Sequence, residues 1–452
     1  MPIRSLPLGW TMIVLGVSIS WPVSAEGSDW TRFRGPNGSG VSTDEPAPPT
    51  EWSESKNLKW KLDLPGPGLS SPIVVGDKVF VTCWSGYAMS RESLGQMGNL
   101  KRHLVCVNRN TGKEMWSVVV DPILPEDQYR GMFAENGYAS HTPVSDGERV
   151  YAFFGKTGVV AYELTGKKLW QKSVGTESDP RSWGTASSPI LYKDLLIVPA
   201  VVESQSVIAF DKVTGEEKWR QTADGFGGTW STPILVESAG GQTDLVMSVP
   251  YELWGLNPET GKMRWFCSSI DSDSVTSSAI AHDGIVYMVQ SRNGGSLALK
   301  AGGKGDISKT NVVWTGRDRG GIGTPLYEDG RMYFIGGKVA NCVDAKTGER
   351  IYQSRLDGGA GESRAEGGRP QRGGPGGGMG GQDYSSPVAS HGKLYYTARS
   401  GETFVVQLGP EFKQLSVNKF AGDDSDFNAT PAISNGDLFI RSCKALYCVS
   451  GS

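Results

Sequence analysis

The stretch Asp211-Lys212-Val213-Thr214-Gly215-Glu216-Glu217-Lys218-Trp219 holds a turn signature that recurs along this chain of 452 residues. In the signature, Thr-Gly is followed by an aromatic residue four positions after the glycine. An Asp or Asn side chain can cap such a turn, and glycine tolerates the positive φ that closes it. The signature therefore predicts two strands joined by a tight turn. Its five copies are Thr111-Gly112 with Trp116, Thr165-Gly166 with Trp170, Thr214-Gly215 with Trp219, Thr260-Gly261 with Trp265, and Thr347-Gly348 with Tyr352.

A second signature, a Ser or Thr followed by Pro or Ala and an aliphatic residue, opens each unit. Most copies lie 44 to 46 residues apart, and two intervals are longer, at 71 and 62 residues. A fixed period of this length is typical of repeat architectures. The eight copies are Ser71-Pro72-Ile73, Thr142-Pro143-Val144, Ser188-Pro189-Ile190, Thr232-Pro233-Ile234, Ser278-Ala279-Ile280, Thr324-Pro325-Leu326, Ser386-Pro387-Val388 and Thr430-Pro431-Ala432.

Each unit has room for four short strands, a sheet too small to bury a face alone. Radial closure protects the edges of such sheets. We therefore predict an all-β fold, an eight-bladed β-propeller of four-stranded blades, over residues 58–452. The last blade has only three strands in Thr430 to Val449, and the isolated alternating segment Leu58 to Leu64 is expected to complete it.

One large aromatic residue recurs at the start of each outer strand. Because its position follows the turn, we expect it to dock one blade against the next. The alternative is a ring of ligand-stacking aromatics. The predicted docking residues are Trp60, Trp116, Trp170, Trp219, Trp265, Trp314 and Tyr352.

The first 25 residues resemble a secretory signal peptide, with Arg4, an apolar stretch and a small-residue cleavage site ending at Ala25. An uncleaved membrane anchor is the alternative. No cysteine near the cleavage site could carry a lipid. We therefore expect a periplasmic or secreted monomer without stable membrane insertion, and a leader over residues 26–57 whose removal to Ser53 leaves the propeller stable.

The formal net charge of −3 offers no basic field, so nucleic-acid binding is not expected. The six cysteines are even in number, and export permits disulfides. Cys83 with Cys106, and Cys443 with Cys448, fall on neighbouring strands and could bridge. Alternatively they are small buried hydrophobes.

The two signatures together resemble the repeat of quinoprotein-type propellers, a family that includes pyrroloquinoline quinone (PQQ) dehydrogenases and BamB-type outer-membrane assembly factors. The resemblance covers about residues 58 to 450. The dehydrogenases of this family imply a calcium cage of Glu, Asn and Asp oxygens and a Cys-Cys disulfide over the quinone. This chain has no two cysteines adjacent in the sequence. We therefore expect no cofactor, no metal and no catalytic residues, with PQQ and calcium as the alternative.

The longer intervals carry insertions at 84–103, 121–140 and 357–383, which the strand order places on one face of the propeller. We call it the inserted face. Long connections of this kind are often functional. We expect the channel below to be lined by Ser70, His141, Ser187, Ser231, Ser277, Gly323, Ser385 and Ala429. The binding residues predicted at its mouth are Trp183, Trp230, Tyr384, His141, Tyr138, Arg102, Arg319 and Asp426.

These observations predict a non-catalytic extracytoplasmic scaffold that binds a protein or polysaccharide partner on the inserted face. A PQQ-dependent oxidoreductase and a glycan-binding propeller are the alternatives. Fold alone does not decide between them.

Overall fold

The computed structural model describes residues 29–90, 92–224, 226–268, 271–290, 295–358 and 382–451. The predicted signal peptide and most of the insertion at 357–383 lie outside these residues. Eight sheets form eight blades, as predicted, and the four strands of each blade are antiparallel neighbours from the channel outward. Two sheets carry a short fifth strand that pairs in parallel, Val41–Ser42 on blade 7 and Gly305–Asp306 on blade 4.

The first four blades follow one another along the chain. Their strands are Ile73–Val75, Lys78–Ser85, Lys101–Asn108 and Glu114–Val120 in blade 1; Val144–Ser145, Arg149–Phe153, Val159–Glu163 and Lys168–Lys172 in blade 2; Ile190–Tyr192, Leu195–Ala200, Ser206–Asp211 and Glu217–Thr222 in blade 3; and Ile234–Glu237, Thr243–Val249, Glu252–Leu256 and Met263–Ser268 in blade 4.

The remaining blades complete the ring. Their strands are Ile280–His282, Ile285–Val289, Ser296–Lys300 and Val312–Gly316 in blade 5; Leu326–Glu328, Arg331–Gly336, Val339–Asp344 and Arg350–Arg355 in blade 6; Val388–Ser390, Lys393–Thr397, Thr403–Gln407 and Lys413–Asn418 in blade 7; and Ala432–Ser434, Asp437–Arg441, Ala445–Ser450 and Leu58–Asp63 in blade 8.

Helices are few and short. They comprise one α-helical turn at Phe133–Asn136 and 3₁₀ turns at Pro36–Gly38, Met97–Asn99 and Gly155–Thr157. Within the described ranges, no helix has the length and apolar character needed to cross a membrane.

The predicted closing strand is confirmed. Leu58–Asp63 runs antiparallel to Ala445–Ser450, with Trp60 opposite Cys448. Trp60 is buried and donates its indole N–H to the carbonyl of Arg109 in blade 1, at 2.7 Å. The first strand of the propeller therefore joins the two ends of the chain and also packs on the following blade.

Four further indole groups contact the neighbouring blade as Trp60 does. A Cβ atom on the glycine of the next Thr-Gly turn would lie 2.4–2.9 Å from the ring, so the ring rests on the bare backbone. The glycines and rings are Gly112 with Trp60, Gly166 with Trp116, Gly215 with Trp170, Gly261 with Trp219, and Gly348 with Trp314.

Two of the predicted docking aromatics differ. Trp265 donates its N–H within its own blade, to Asp244 at 2.8 Å, and packs over Gly255. The reason is that blade 5 lacks a Thr-Gly turn; its chain instead adds the short parallel strand Gly305–Asp306 to the outer edge of blade 4. Tyr352 packs edge-on against Phe412 of blade 7, with ring centroids 5.8 Å apart.

The leader packs against the propeller. It crosses the face opposite the insertions, where it contacts the turns that follow the first strands. Its contacts are Trp30 with Val74 of blade 1, Thr31 with Ser145 of blade 2, Asn37 with Leu235 of blade 4, Val41–Ser42 with Ala389 and Ser390 of blade 7, and Asp44 with Asn435 of blade 8. The leader therefore ties together five blades, and the stability of the chain without it stays a prediction.

Neither of the two possible disulfides is formed, and none of the six cysteines takes part in a disulfide. The strand register is the reason: Cys83 lies opposite His103, whereas Cys106 lies opposite Phe80. Similarly, Cys448 lies opposite Phe439 rather than near Cys443. Burial raises the pKa of the Cys443 thiol to about 11, so this thiol is largely protonated at neutral pH.

Candidate functional site

A ring of hydroxyl groups surrounds the channel just inside the inserted face. Each Ser or Thr of the opening signature donates its backbone N–H to the hydroxyl oxygen of the equivalent residue in the next blade, at 2.9–3.1 Å. The last bond joins Thr430 to Ser71 and so closes the circle of eight. The members of this hydroxyl ring are Ser71, Thr142, Ser188, Thr232, Ser278, Thr324, Ser386 and Thr430.

The predicted channel-lining positions are off by one residue. The hydroxyl ring occupies the position immediately after each of them, and all eight ring members line the pocket at the channel mouth. Ser70 shows why: its hydroxyl accepts bonds from the N–H of Thr82 and from Arg441, so its side chain is held within the blades. Ser and Thr alternate strictly around the ring, and this alternation is the sequence signal that could have identified it.

The leader forms the floor of this pocket. Phe33 lines it, while its neighbours Arg32 and Arg34 are buried in the channel. Arg32 donates to the carbonyl of Pro233 at 2.9 Å. Arg34 donates to the carbonyl oxygens of Gly38, Ser39, Thr324, Pro325 and Pro387. The sequence does not mark these three residues, because nothing local indicates that the leader enters the channel.

The rim of the pocket is built from connections between blades. Trp183 and Trp230 pack at 5.1 Å between ring centroids, and Trp230 donates its N–H to the carbonyl of Gly184. Tyr384 and Asn428 line the other side. The resulting cup has a volume of about 130 Å³ and opens on the inserted face. Three predicted binding residues, Trp183, Trp230 and Tyr384, are thus brought together.

Asn428 adds an unsatisfied group to the cup. Its side chain is 8% exposed, and its Oδ1 accepts no hydrogen bond from any described residue. A buried acceptor without a partner costs about 1–3 kcal/mol unless a ligand or water donates to it. This atom is therefore a specific candidate contact for a bound molecule.

The cup is electropositive from below. No side chain that is charged at neutral pH lines it among the described residues. Burial lowers the pKa of Arg32 to about 10 and that of Arg34 to about 9, and neither guanidinium has a carboxylate partner in the described part of the chain. Both groups remain protonated at neutral pH, so two positive charges lie beneath the hydroxyl ring.

Arg102 and Tyr138 do not reach the cup. Arg102 is buried and pairs with Glu126 at 2.5 Å, and it also donates to the Tyr138 carbonyl. Tyr138 packs among Trp84, Tyr87 and Phe133 in a small core between the two insertions. Arg102 and Glu126 are 24 residues apart in the sequence, so no local pattern indicated that they form an ion pair. Arg102 and Tyr138 are both buried in the support of the inserted face and do not present a surface to a partner.

His141 is also buried. Its ring packs on Phe153 and its Nε2 lies 3.2 Å from the hydroxyl of Thr185. Burial lowers the pKa of His141 to about 3. The nearby Glu203 is 1% exposed; burial raises its pKa to about 7, and its Oε2 has no partner among the described residues. This cluster lies beside the cup, under the second insertion.

Asp426 and Arg319 take different places. Asp426 pairs with Arg399 at 2.6 Å, and Arg399 also holds Glu135 of the insertion helix at 2.6 Å. Asp426 lines a second, larger groove of about 740 Å³ next to the cup. Arg319 is exposed and lines neither cavity. The predicted binding residues are therefore divided between the cup, the groove and the buried support, and Arg319 belongs to none of these places.

An eight-bladed ring with this opening signature and the Thr-Gly-aromatic turn defines the class of the quinoprotein-type propellers. The family described as outer membrane protein assembly factor BamB matches residues 21–178, 100–354 and 198–409. The chain belongs to that family.

Individual relatives are distant. A polyvinylalcohol dehydrogenase from a Pseudomonas species is 21% identical over 376 residues, covering 67% of this chain and 54% of the relative. The chain thus spans about half the length of that curated relative. BamB from Moraxella catarrhalis has a TM-score of 0.57 at 10% identity, covering 87% of this chain and 97% of that one. The quinohemoprotein alcohol dehydrogenase from Comamonas testosteroni has a TM-score of 0.62 at 11% identity, covering 94% and 81%.

The expectation of no cofactor is contradicted by these comparisons, because the similar chains include a dehydrogenase of polyvinyl alcohol and a quinohemoprotein. The cup fits part of such a site. The tilted aromatic pair Trp183–Trp230 and the hydroxyl ring suit a flat, oxygen-rich group. A metal ion would meet only neutral oxygens there, and the described residues contain no group of three or more His, Cys, Asp or Glu placed to hold one.

Proposed function

We propose that the chain is an extracytoplasmic scaffold that binds a protein or polymer partner on its inserted face, with the cup as the anchoring site. The observation that carries this proposal is the one-sided cup. The leader closes the channel from the opposite face, so a ligand can enter only from the inserted face.

The groove beside the cup supports an extended partner. Leu69 and Asn428 line both cavities, so the two are continuous at the rim. The groove runs along Pro65–Pro67 and past Trp84 and Tyr129 of the insertions. A chain-like ligand could place one group in the cup and continue through the groove, which suits a polymer or an extended peptide better than a small isolated molecule.

Two ion pairs at the inserted face support the same function. The buried pair Arg102–Glu126 and the bridge from Arg399 to Glu135 hold the second insertion against the blades. A preorganised surface loses less conformational entropy when a partner binds.

The test is binding of the purified chain to an array of immobilised polysaccharides and extended peptides. Trp183→Ala removes a half-buried rim side chain and should weaken capture of any genuine partner at least tenfold. Glu148→Ala/Asp194→Ala changes exposed turns on the opposite face and is the matched control. If the control lost binding while Trp183→Ala kept it, the binding site would lie on the opposite face and the proposal would be wrong.

A second candidate is a quinone-dependent oxidoreductase acting on a polymer alcohol. It is supported by the similarity to polyvinylalcohol dehydrogenase and by the flat, oxygen-rich lining of the cup. Trp183 and Trp230 would hold the quinone ring, and the hydroxyl ring would donate to its oxygens. The bound quinone would supply the two-electron oxidation of an alcohol to a carbonyl.

Ultraviolet-visible titration with PQQ, with and without calcium, tests the second candidate. Stoichiometric binding together with dye reduction that depends on polyvinyl alcohol would establish it over the scaffold. Trp183→Ala should then reduce both signals, while Glu148→Ala should change neither.

A further inference from the structure

The hydroxyl ring has donors that the fold does not use. Each ring oxygen accepts a hydrogen bond from a backbone N–H, which occupies one lone pair. A hydroxyl has one donor hydrogen besides its two lone pairs. None of the eight hydroxyls donates to another described residue, although all are 2–6% exposed and line the cup. Eight hydroxyl hydrogens are therefore available to one ligand.

The charge beneath the ring decides which ligand these donors suit. Arg34 bonds the carbonyl of Thr324, itself a ring member, and Arg32 bonds the carbonyl of Pro233, which follows ring member Thr232. Among the described residues, each of these two guanidinium groups bonds only to carbonyl oxygens. A cationic ligand would meet two like charges in a region shielded from water, whereas an anionic oxygen would be attracted by both.

Asn428 and the aromatic rim add a second requirement. The Oδ1 of Asn428 needs a donor from the ligand, such as a hydroxyl group. The half-buried ring of Trp183 offers a flat apolar surface on which a sugar ring can pack. The cup thus combines oxyanion donors, one acceptor and one flat wall.

We propose that the cup recognises an acidic saccharide unit, with its carboxylate on the hydroxyl ring and a ring hydroxyl on Asn428. This proposal rests on the proposed function and names the chemical class of its partner as an acidic polysaccharide. The carboxylate and not the sugar alone provides the discrimination.

The test follows tryptophan fluorescence of the full chain during titration with sodium glucuronate and with a galacturonate trimer. Glucose and the methyl ester of glucuronate are the matched ligand controls, because they keep the hydroxyls and lack the charge. We expect the acids to bind at least about tenfold more tightly than either control, in keeping with the strength of charge-assisted hydrogen bonds. Sodium sulfate at equal ionic strength tests a free oxyanion.

A pair of ring variants tests the protein side. Thr232→Val removes the hydroxyl while keeping the shape, and Thr232→Ser keeps the hydroxyl. We expect the Val variant to weaken binding of the acid about fivefold or more, and the Ser variant to bind like the parent. The melting temperatures of both variants show whether the ring remains intact. The comparison of the acid with its methyl ester uses the parent chain, so it does not depend on any variant.

Three results would overturn the inference. These are equal binding of acid and ester, no binding of either acid up to about 10 mM, or sulfate binding as tightly as glucuronate. If the acids fail while a neutral polymer or peptide is captured in a manner that depends on Trp183, the proposed function stands and only the choice of ligand is wrong. If nothing is captured, both proposals fail.

Discussion

The contact between Gly261 and Trp219 offers a direct test of how the blades are joined. Gly261 has a φ of +71° in the Thr-Gly turn of blade 4, and an added Cβ would lie 2.4 Å from Cε3 of Trp219 in blade 3. Trp219 is 8% exposed and donates its indole N–H to the carbonyl of Pro258 at 3.0 Å. The variant Gly261→Ala therefore perturbs the junction and not the blade interior.

Two costs add in this variant. A non-glycine residue at this φ costs about 1–2 kcal/mol. Displacing a packed indole ring is a case of overpacking, which costs a further 1–3 kcal/mol or so. Gly241 of the same blade isolates the first cost, because it has the same φ of +71° and no atom within 4 Å of an added Cβ. We expect Gly261→Ala to destabilise the protein by about 1–3 kcal/mol more than Gly241→Ala.

Thermal and denaturant unfolding of the two variants measures the difference. In the background Trp219→Ala, which alone should cost about 3–5 kcal/mol, Gly261→Ala should cost no more than Gly241→Ala. Equal destabilisation of the two glycine variants in the parent chain would refute the docking role of the aromatic residues.

Further predictions concern buried charged groups and thiols. Arg34→Gln should lower the free energy of unfolding by about 3 kcal/mol or more, since several buried carbonyls lose their donor, whereas Arg317→Gln at an exposed position should have little effect in the same melt. Burial raises the pKa of Glu203 to about 7, so the folded state binds the carboxyl proton more tightly than the unfolded state does. The free energy of unfolding should therefore fall by up to about 3 kcal/mol as the pH rises from about 4.5 to 7. In Glu203→Gln, the melting temperature should depend less on pH over this range. His141 has the opposite sign: burial lowers its pKa to about 3, so stability should fall as pH drops below about 6.5, and His141→Gln should remove that part of the acid sensitivity. Since no cysteine takes part in a disulfide, a reducing agent should leave the melting temperature unchanged, and a lowered melting temperature would show a disulfide that the strand register does not allow.

Much of the fold was predictable because the repeat is local. The Thr-Gly turn fixes a strand, a turn and an aromatic residue within nine positions, and the eight copies of the opening signature fix the number of blades. The closing strand Leu58–Asp63 followed from counting, because blade 8 lacked a fourth strand. The rim residues Trp183, Trp230 and Tyr384 were predictable for the same reason, since the connections between blades must emerge on one face.

The rest depended on contacts between distant residues. The sequence placed Ser70 in the channel, but the bonds of its hydroxyl to Thr82 and Arg441 turn it into the blades and leave Ser71 for the ring. In the sequence, Arg102 resembled a residue that contacts a partner at the surface. Only its buried ion pair with Glu126 showed that it supports the inserted face.

By itself, then, the sequence determined the eight blades, their closure and the face that carries the insertions, because these follow from a short-range pattern repeated along the chain. The tertiary structure decided which column of hydroxyls faces the channel, and that the leader fills it from below. Arg34 bonds carbonyls 290 and 291 residues away, and no local pattern can specify partners at that distance. The electropositive, one-sided cup exists only because the ring and the leader meet in the folded molecule.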